Sequence, residues 1–127
     1  MNAGTTLAVS VLLFAGTATV SAHHSYAMFD ASKTAIITGK VTEFRWTNPH
    51  VALQIIVTDA TGKEIAYNLE GSNPSELTRR GWKRTSLNPG DTATATMHPF
   101  RSGAPGGQLV SVKVNDQTFD SSGGRGP

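Results

Sequence analysis

The chain has 127 residues, 11 Lys and Arg against 9 Asp and Glu for a formal net charge of +2, and no cysteine. A chain without cysteine can be neither a disulfide-stapled scaffold nor a thiol enzyme, so a packed core has to stabilise it unaided. Its length suits a single domain with one modest core.

The first 22 residues are predicted to be a cleaved secretion signal. They contain no Asp, Glu, Lys or Arg, and Leu7 begins an apolar run that ends at Ala15. The segment closes on Val20-Ser21-Ala22, which offers the small side chains that signal peptidase accepts. The run is about half as long as the roughly 20 apolar residues that span a membrane, which argues against an anchor. We therefore predict cleavage after Ala22, a periplasmic or secreted location, no membrane span in the mature chain and no nucleic-acid partner.

The mature chain is predicted to have three parts. Residues 23–33 form a polar N-terminal arm, and residues 34–120 form one β-rich domain. Residues 121–127 form a Gly/Ser-rich tail whose composition is typical of disorder.

Three strands are predicted at the start of the domain. In the first strand the apolar residues change face before Phe44 and Trp46, as a β-bulge or a bend requires. Residues 47–50 form the following turn, and residues 59–62 close a hairpin with Gly62 free to take positive φ. The residues predicted to face the core in strands two and three are Val51, Leu53, Ile55, Val57, Ile65, Tyr67 and Leu69.

One helix and two further strands follow. Asn73 can cap the helix, Pro74 suits its first position, and Glu76 stands three residues after the cap, as in a capping box. Leu77 is predicted to face inward, and Gly81 to end the helix. The inward residues of the last two strands are predicted to be Ala93, Ala95, Met97, Val110, Val112 and Val114.

The order β-β-β-α-β-β predicts an all-β domain with one short helix. That is the order of the five-stranded oligonucleotide/oligosaccharide-binding (OB) barrel, in which the helix lies between strands three and four. A small β-sandwich is the alternative.

Several motifs resemble those of a known family. They are His23-His24-Ser25, Phe29-Asp30, Trp46-Thr47-Asn48-Pro49-His50, Glu70, Arg80-Gly81-Trp82 and Leu87-Asn88-Pro89-Gly90-Asp91. In this order and spacing they resemble a family of small exported proteins of unknown function that is common in proteobacteria. The resemblance implies export and a small β-barrel, and no established activity. It runs from His23 to about Asp91, and the segment 97–100 departs from the Gly-x-Pro pattern of that family.

The four histidines are the first candidates for a site. Cleavage after Ala22 would leave His23 with a free α-amine, which can chelate one metal ion together with its imidazole. A second imidazole, from His50 or alternatively His98, would complete the three-nitrogen set that Cu(II) favours. His24 can instead bind copper through the amine, an amide and its own ring. Strand one joins the arm to the turn that holds His50, so His23 and His50 can meet if the arm folds back.

Three other side chains are candidates. Glu70 can join a metal site, pair with Arg79 or Arg80, or accept bonds from nearby backbone amides. Trp46 and Trp82 can form an aromatic platform for a ligand, or can belong to the core.

Two functions fit these residues. The first is a small exported binding protein that holds copper through His23 and further histidines. The second is a non-catalytic OB-type module that binds a periplasmic partner protein or a small ligand. No catalytic motif can be read in the chain, so an enzyme is not expected.

Overall fold

The computed structural model of the protein describes residues 27–122. Its elements are β1 (Ala35–Arg45), β2 (Ala52–Thr58), β3 (Glu64–Glu70), α1 (Pro74–Arg79), β4 (Thr92–Pro99), β5 (Gly106–Val114) and β6 (Gln117–Asp120). The predicted order is confirmed, and β6 is an additional strand that the sequence did not predict. In the described range, no helix is long and apolar enough to cross a membrane.

Five of the strands close into a barrel. β1 pairs with β2 and β4, β2 pairs with β3, and β4 pairs with β5, all antiparallel. A short parallel pairing of Asn68–Glu70 on β3 with Gly106–Gln108 on β5 completes the ring. The resulting order β1-β2-β3-β5-β4, with α1 between β3 and β4, confirms the OB-like barrel over the sandwich. β6 extends the sheet beside β5.

β1 bends between its two partners, as the shift in apolar phase predicted. Its first half pairs with β4 and its second half with β2, and the register shifts between Val41 and Glu43. Gly39 lies close to the bend, where a Cβ atom would collide with the backbone carbonyl of Ile56. Only glycine allows β1 and β2 to approach this closely.

The inward phase of the sheet follows the prediction except in β5. Val51, Leu53, Ile55 and Leu69 are buried, whereas Val57, Ile65 and Tyr67 are only partly buried. In β4, Ala93, Ala95 and Met97 are buried as predicted.

The prediction that Val110 faces the core is wrong. Leu109 pairs with Met97, and Ser111 pairs with the preceding residue of β4, so Val110 is the additional residue of a β-bulge. Leu109 is therefore buried in its place, while Val112 and Val114 keep the predicted inward phase.

The helix begins and ends as its residues predict. The Asn73 side chain accepts a hydrogen bond from the Glu76 backbone N–H at 2.8 Å, Pro74 is the first helical residue, and Leu77 is fully buried. The Glu76 carboxylate accepts a hydrogen bond from Arg80, one turn along the helix, so it does not close the second half of the capping box. Gly81 follows with a φ of 87°, which glycine adopts without strain.

The end of β6 is held by residues around the helix. The Trp82 indole N–H donates to the carbonyl of Asp120 at 2.8 Å, and the Arg80 guanidinium donates to the carbonyl of Ser121 at 3.0 Å. Ser121 is buried, and its hydroxyl accepts a hydrogen bond from the backbone N–H of Ser72. The prediction that a disordered tail begins at Ser121 is therefore wrong by at least two residues. The rest of that tail, residues 123–127, lies outside the described residues.

Candidate functional site

A surface groove of about 350 Å³ crosses the end of β3. One wall is the loop between β1 and β2, and the other is the start of the loop between β4 and β5. Its polar and aromatic lining includes Arg45, Asn48, His50, Asn68, Glu70 and Phe100. In OB barrels the face of strands two and three and these two loops form the surface that binds ligands. The groove thus lies where the fold usually places a site.

His50 and Glu70 meet in this groove. Glu70 faces outward because side chains alternate along β3 and the preceding residue, Leu69, is buried. Glu70 pairs with Ala52 on β2, and His50 stands two residues before Ala52. The His50 Nδ1 atom is 2.9 Å from the Glu70 Oε1 atom, and the two side chains are 35% and 33% exposed. When Nδ1 carries the ring proton and donates a hydrogen bond to the carboxylate, the lone pair of the neutral ring is on Nε2. Glu70 therefore pairs with His50. The alternative that the sequence offered, an ion pair with Arg79 or Arg80, is not formed among the described residues.

The N-terminal arm returns to this end of the barrel. Phe29 is buried, its ring stacks on Phe100 with centroids 5.3 Å apart, and the two residues form an isolated β-bridge. The Arg101 guanidinium donates to the carbonyl of Ala27 at 3.1 Å. Phe29 also lines a small cleft together with His50 and Glu70. The described part of the arm, residues 27–33, therefore lies beside the His50–Glu70 pair.

A tight turn fixes the arm after Phe29. The Asp30 carboxylate accepts hydrogen bonds from the hydroxyl and the backbone N–H of Ser32, and the Lys33 ammonium lies 3.2 Å from its other oxygen. These contacts lower the pKa of Asp30 to about 2, with the largest contribution from the Ser32 hydroxyl and the second largest from the Lys33 ammonium. Asp30 therefore stays ionised and keeps the turn closed at neutral pH.

The other candidate histidines do not join this pair in the part of the chain that the structure describes. The His98 Nδ1 atom lies 2.7 Å from the carbonyl oxygen of Lys33, so His98 binds the arm instead. On the sheet, Gln108 stands between His98 and Glu70. No group of three or more His, Cys, Asp or Glu side chains within residues 27–122 is arranged to hold a metal ion. His23 and His24 lie outside the described residues.

The two tryptophans do not form a platform. Trp82 is 1% exposed and packs against Phe44 and Phe119 inside the core. Trp46 is half-buried and meets the ring of Phe44 edge-on. The aromatic ring that lines the groove is Phe100, which the sequence did not single out. The sequence feature that could have pointed to Phe100 is its position directly after β4, at the start of a Gly/Pro-rich loop.

The motifs now divide by the bonds they make. Arg80 and Trp82 hold β6, and the segment 87–91 binds β1, because the Gly90 N–H donates to the Val41 carbonyl and the Val41 N–H donates to Asp91. These motifs stabilise the barrel. His50 and Glu70, by contrast, pair with each other in the groove, and their contact does not hold β6 or the helix in place. They are the motif residues best placed to meet a ligand.

Fold and groove together define a small OB-type barrel with a surface groove between two loops. The model of a family of unknown function, DUF6152, matches residues 11–111, and the chain belongs to that family. Neither a curated protein nor a solved structure matches the chain at a significant level. The family match extends past Asp91, where the resemblance noted in the sequence ended.

Proposed function

We propose that this chain is an exported, non-catalytic binding protein whose ligand occupies the groove around His50 and Glu70. The observation that carries the proposal is the 2.9 Å contact between these two side chains, half-exposed in a groove at the usual ligand surface of the OB barrel. A volume of about 350 Å³ also falls in the range of small-molecule sites, about 300–1,000 Å³.

Recovery of the occupant from the export compartment tests this function. Protein purified from there without a tag should have 127 − 22 = 105 residues, beginning at His23. Native mass spectrometry and elemental analysis should find an occupant in the wild type that the double variant His50→Ala, Glu70→Ala has lost. Thr38→Val is the matched control, since Thr38 pairs with the hydroxyl of Thr94 on strands β1 and β4, away from the groove. An occupant retained equally by the groove variant would contradict the proposal, and an uncleaved chain would contradict export.

Copper is the second candidate occupant, favoured by the course of the arm. Phe29 lies in one cleft with His50 and Glu70, and Ala27 is fixed to the neighbouring loop. The four residue steps from His23 to Ala27 span at most about 14 Å when extended, so the mature terminus lies within that distance of Ala27. The α-amine and ring of His23, with the Nε2 atom of His50, would supply three nitrogen ligands of the kind that Cu(II) favours.

A Cu(II) titration of the protein with its native terminus distinguishes this site from the incidental affinity of a His-His terminus. His50→Ala should weaken Cu(II) binding and remove one nitrogen from the electron paramagnetic resonance spectrum. His98→Ala is the matched control and should leave the spectrum unchanged, because the His98 ring is engaged with the arm. Unchanged copper affinity in His50→Ala would exclude this site.

A further inference from the structure

A directed chain of hydrogen bonds crosses the outer face of the sheet and ends at the groove. The Thr42 hydroxyl donates to Gln54 Oε1 at 2.8 Å, and Gln54 Nε2 donates to Asn68 Oδ1 at 3.0 Å. The Asn68 oxygen is oriented toward Gln54, which leaves the Asn68 NH₂ group available as a donor for a ligand. Asn68 lines the groove, so its floor carries a fixed donor at this point.

An acceptor stands next to this donor on the same strand. Glu70 follows Asn68 by two residues and shares its face, roughly 6.6 Å further along β3. One carboxylate oxygen of Glu70 holds His50 Nδ1, and the other remains an acceptor. The His50 Nε2 atom adds a second acceptor when the ring is neutral. The groove therefore presents a donor and acceptors within one short stretch.

This pattern discriminates among ligand chemistries. A phosphate only accepts hydrogen bonds and would face the Glu70 carboxylate, while the groove cation Arg45 is already 3.1 Å from Glu43. An ammonium group only donates, so it could pair with Glu70 but would leave the Asn68 NH₂ without an acceptor. A peptide backbone both donates and accepts, but it adds to open sheet edges, and residues 68–70 are paired with β2 on one side and β5 on the other. A hydroxyl both donates and accepts, and it needs no edge.

We infer that the groove binds a neutral, hydroxyl-rich ligand, a short oligosaccharide, which deepens the proposed function and rests on it. Hydroxyl groups would bridge Asn68 Nδ2 and the free oxygen of Glu70. The Phe100 ring, held from one side by Phe29, is positioned to pack against the C–H face of a sugar ring.

Titration of the ¹⁵N-labelled mature chain with three neutral probes tests this inference: cellotetraose, maltotetraose and chitotetraose. At least one should shift the backbone amides of residues 47–50, 68–70 and 100 in preference to the rest of the barrel. Asn68→Asp should weaken that binding about tenfold, because it keeps an oxygen for Gln54 and turns the donor into an acceptor. Thr38→Val is the control and should bind as the wild type does.

Each other outcome overturns the inference in a recognisable way. One such outcome is that none of the three sugars causes a shift, while the wild type still carries a native occupant that the His50→Ala, Glu70→Ala variant lacks. This result would refute the ligand class but would support the proposed function of the groove. Shifts at the groove with oligothymidylate or with an extended peptide, and none with the sugars, would do the same. Sugar binding that Asn68→Asp leaves unchanged would refute the proposed contact.

Discussion

Replacing Leu53 with alanine tests the barrel at its centre. Leu53 lies on β2, is 2% exposed, and pairs with Phe44 on β1 and Leu69 on β3. The change removes three carbon atoms from the core, which at about 0.8 kcal/mol for each buried methylene corresponds to about 2.4 kcal/mol. Because the strands are hydrogen-bonded into a closed ring, they cannot fully collapse into the cavity, and its cost adds to this figure. We expect a total loss of about 3–4 kcal/mol in the free energy of unfolding.

Urea unfolding followed by tryptophan fluorescence measures this loss, since Trp82 is buried against Phe119 and reports on the core. The midpoint should fall while the slope m stays the same, as it does when stability alone changes. Gln54→Ala is the matched control, one residue along the same strand. Its side chain faces outward and, among residues 27–122, bonds to the exposed Thr42 and Asn68, so we expect a loss below about 1 kcal/mol.

A loss below about 1 kcal/mol for Leu53→Ala would place Leu53 outside the core. A larger loss for Gln54→Ala than for Leu53→Ala would mean that β2 presents the opposite face to the barrel. Either result would refute the assigned register and, with it, the position of the groove.

Three further predictions concern single contacts. Trp82→Phe removes the indole N–H, which leaves the Asp120 carbonyl without its donor, and it also shrinks a fully buried ring. The free energy of unfolding should therefore fall by at least about 1–3 kcal/mol, and amide exchange should be fastest in β6. Gly39→Ala should cost about 2 kcal/mol or more in the same unfolding measurement, because the new Cβ meets the β2 backbone and not a movable side chain. The lowered pKa of Asp30 means that its turn is fully stabilised above the usual value of 3.8 and is lost as the pH falls through about 2. Amide chemical shifts of residues 31–33 should follow that transition in the wild type and not in Asp30→Asn, and a pH-independent wild type would contradict it.

The sequence predicted the local elements well, because their causes are local. Alternation of apolar residues located β1 to β4, and the phase change before Phe44 predicted the bulge in β1. Asn73 and Pro74 fixed the start of the helix through their own hydrogen-bonding and backbone properties. The register of β5 could not be read in this way. Its run of alternating valines hides a bulge at Val110, which only the pairing with β4 reveals.

Of the candidate site, the sequence singled out His50 as a turn histidine and Glu70 as a strand-end carboxylate that could join a metal site. It did not predict that they pair, because 20 residues and a hairpin separate them and no periodicity encodes such a contact. The register of β2 against β3 brings them together, and closure of β3 onto β5 adds Phe100 on the far side of the groove. The role of Trp82 was likewise decided by its burial. From the sequence alone, its indole could belong to a ligand platform or to the core. Which side chains share a surface depends on contacts between distant strands, and those contacts exist only once the barrel has closed.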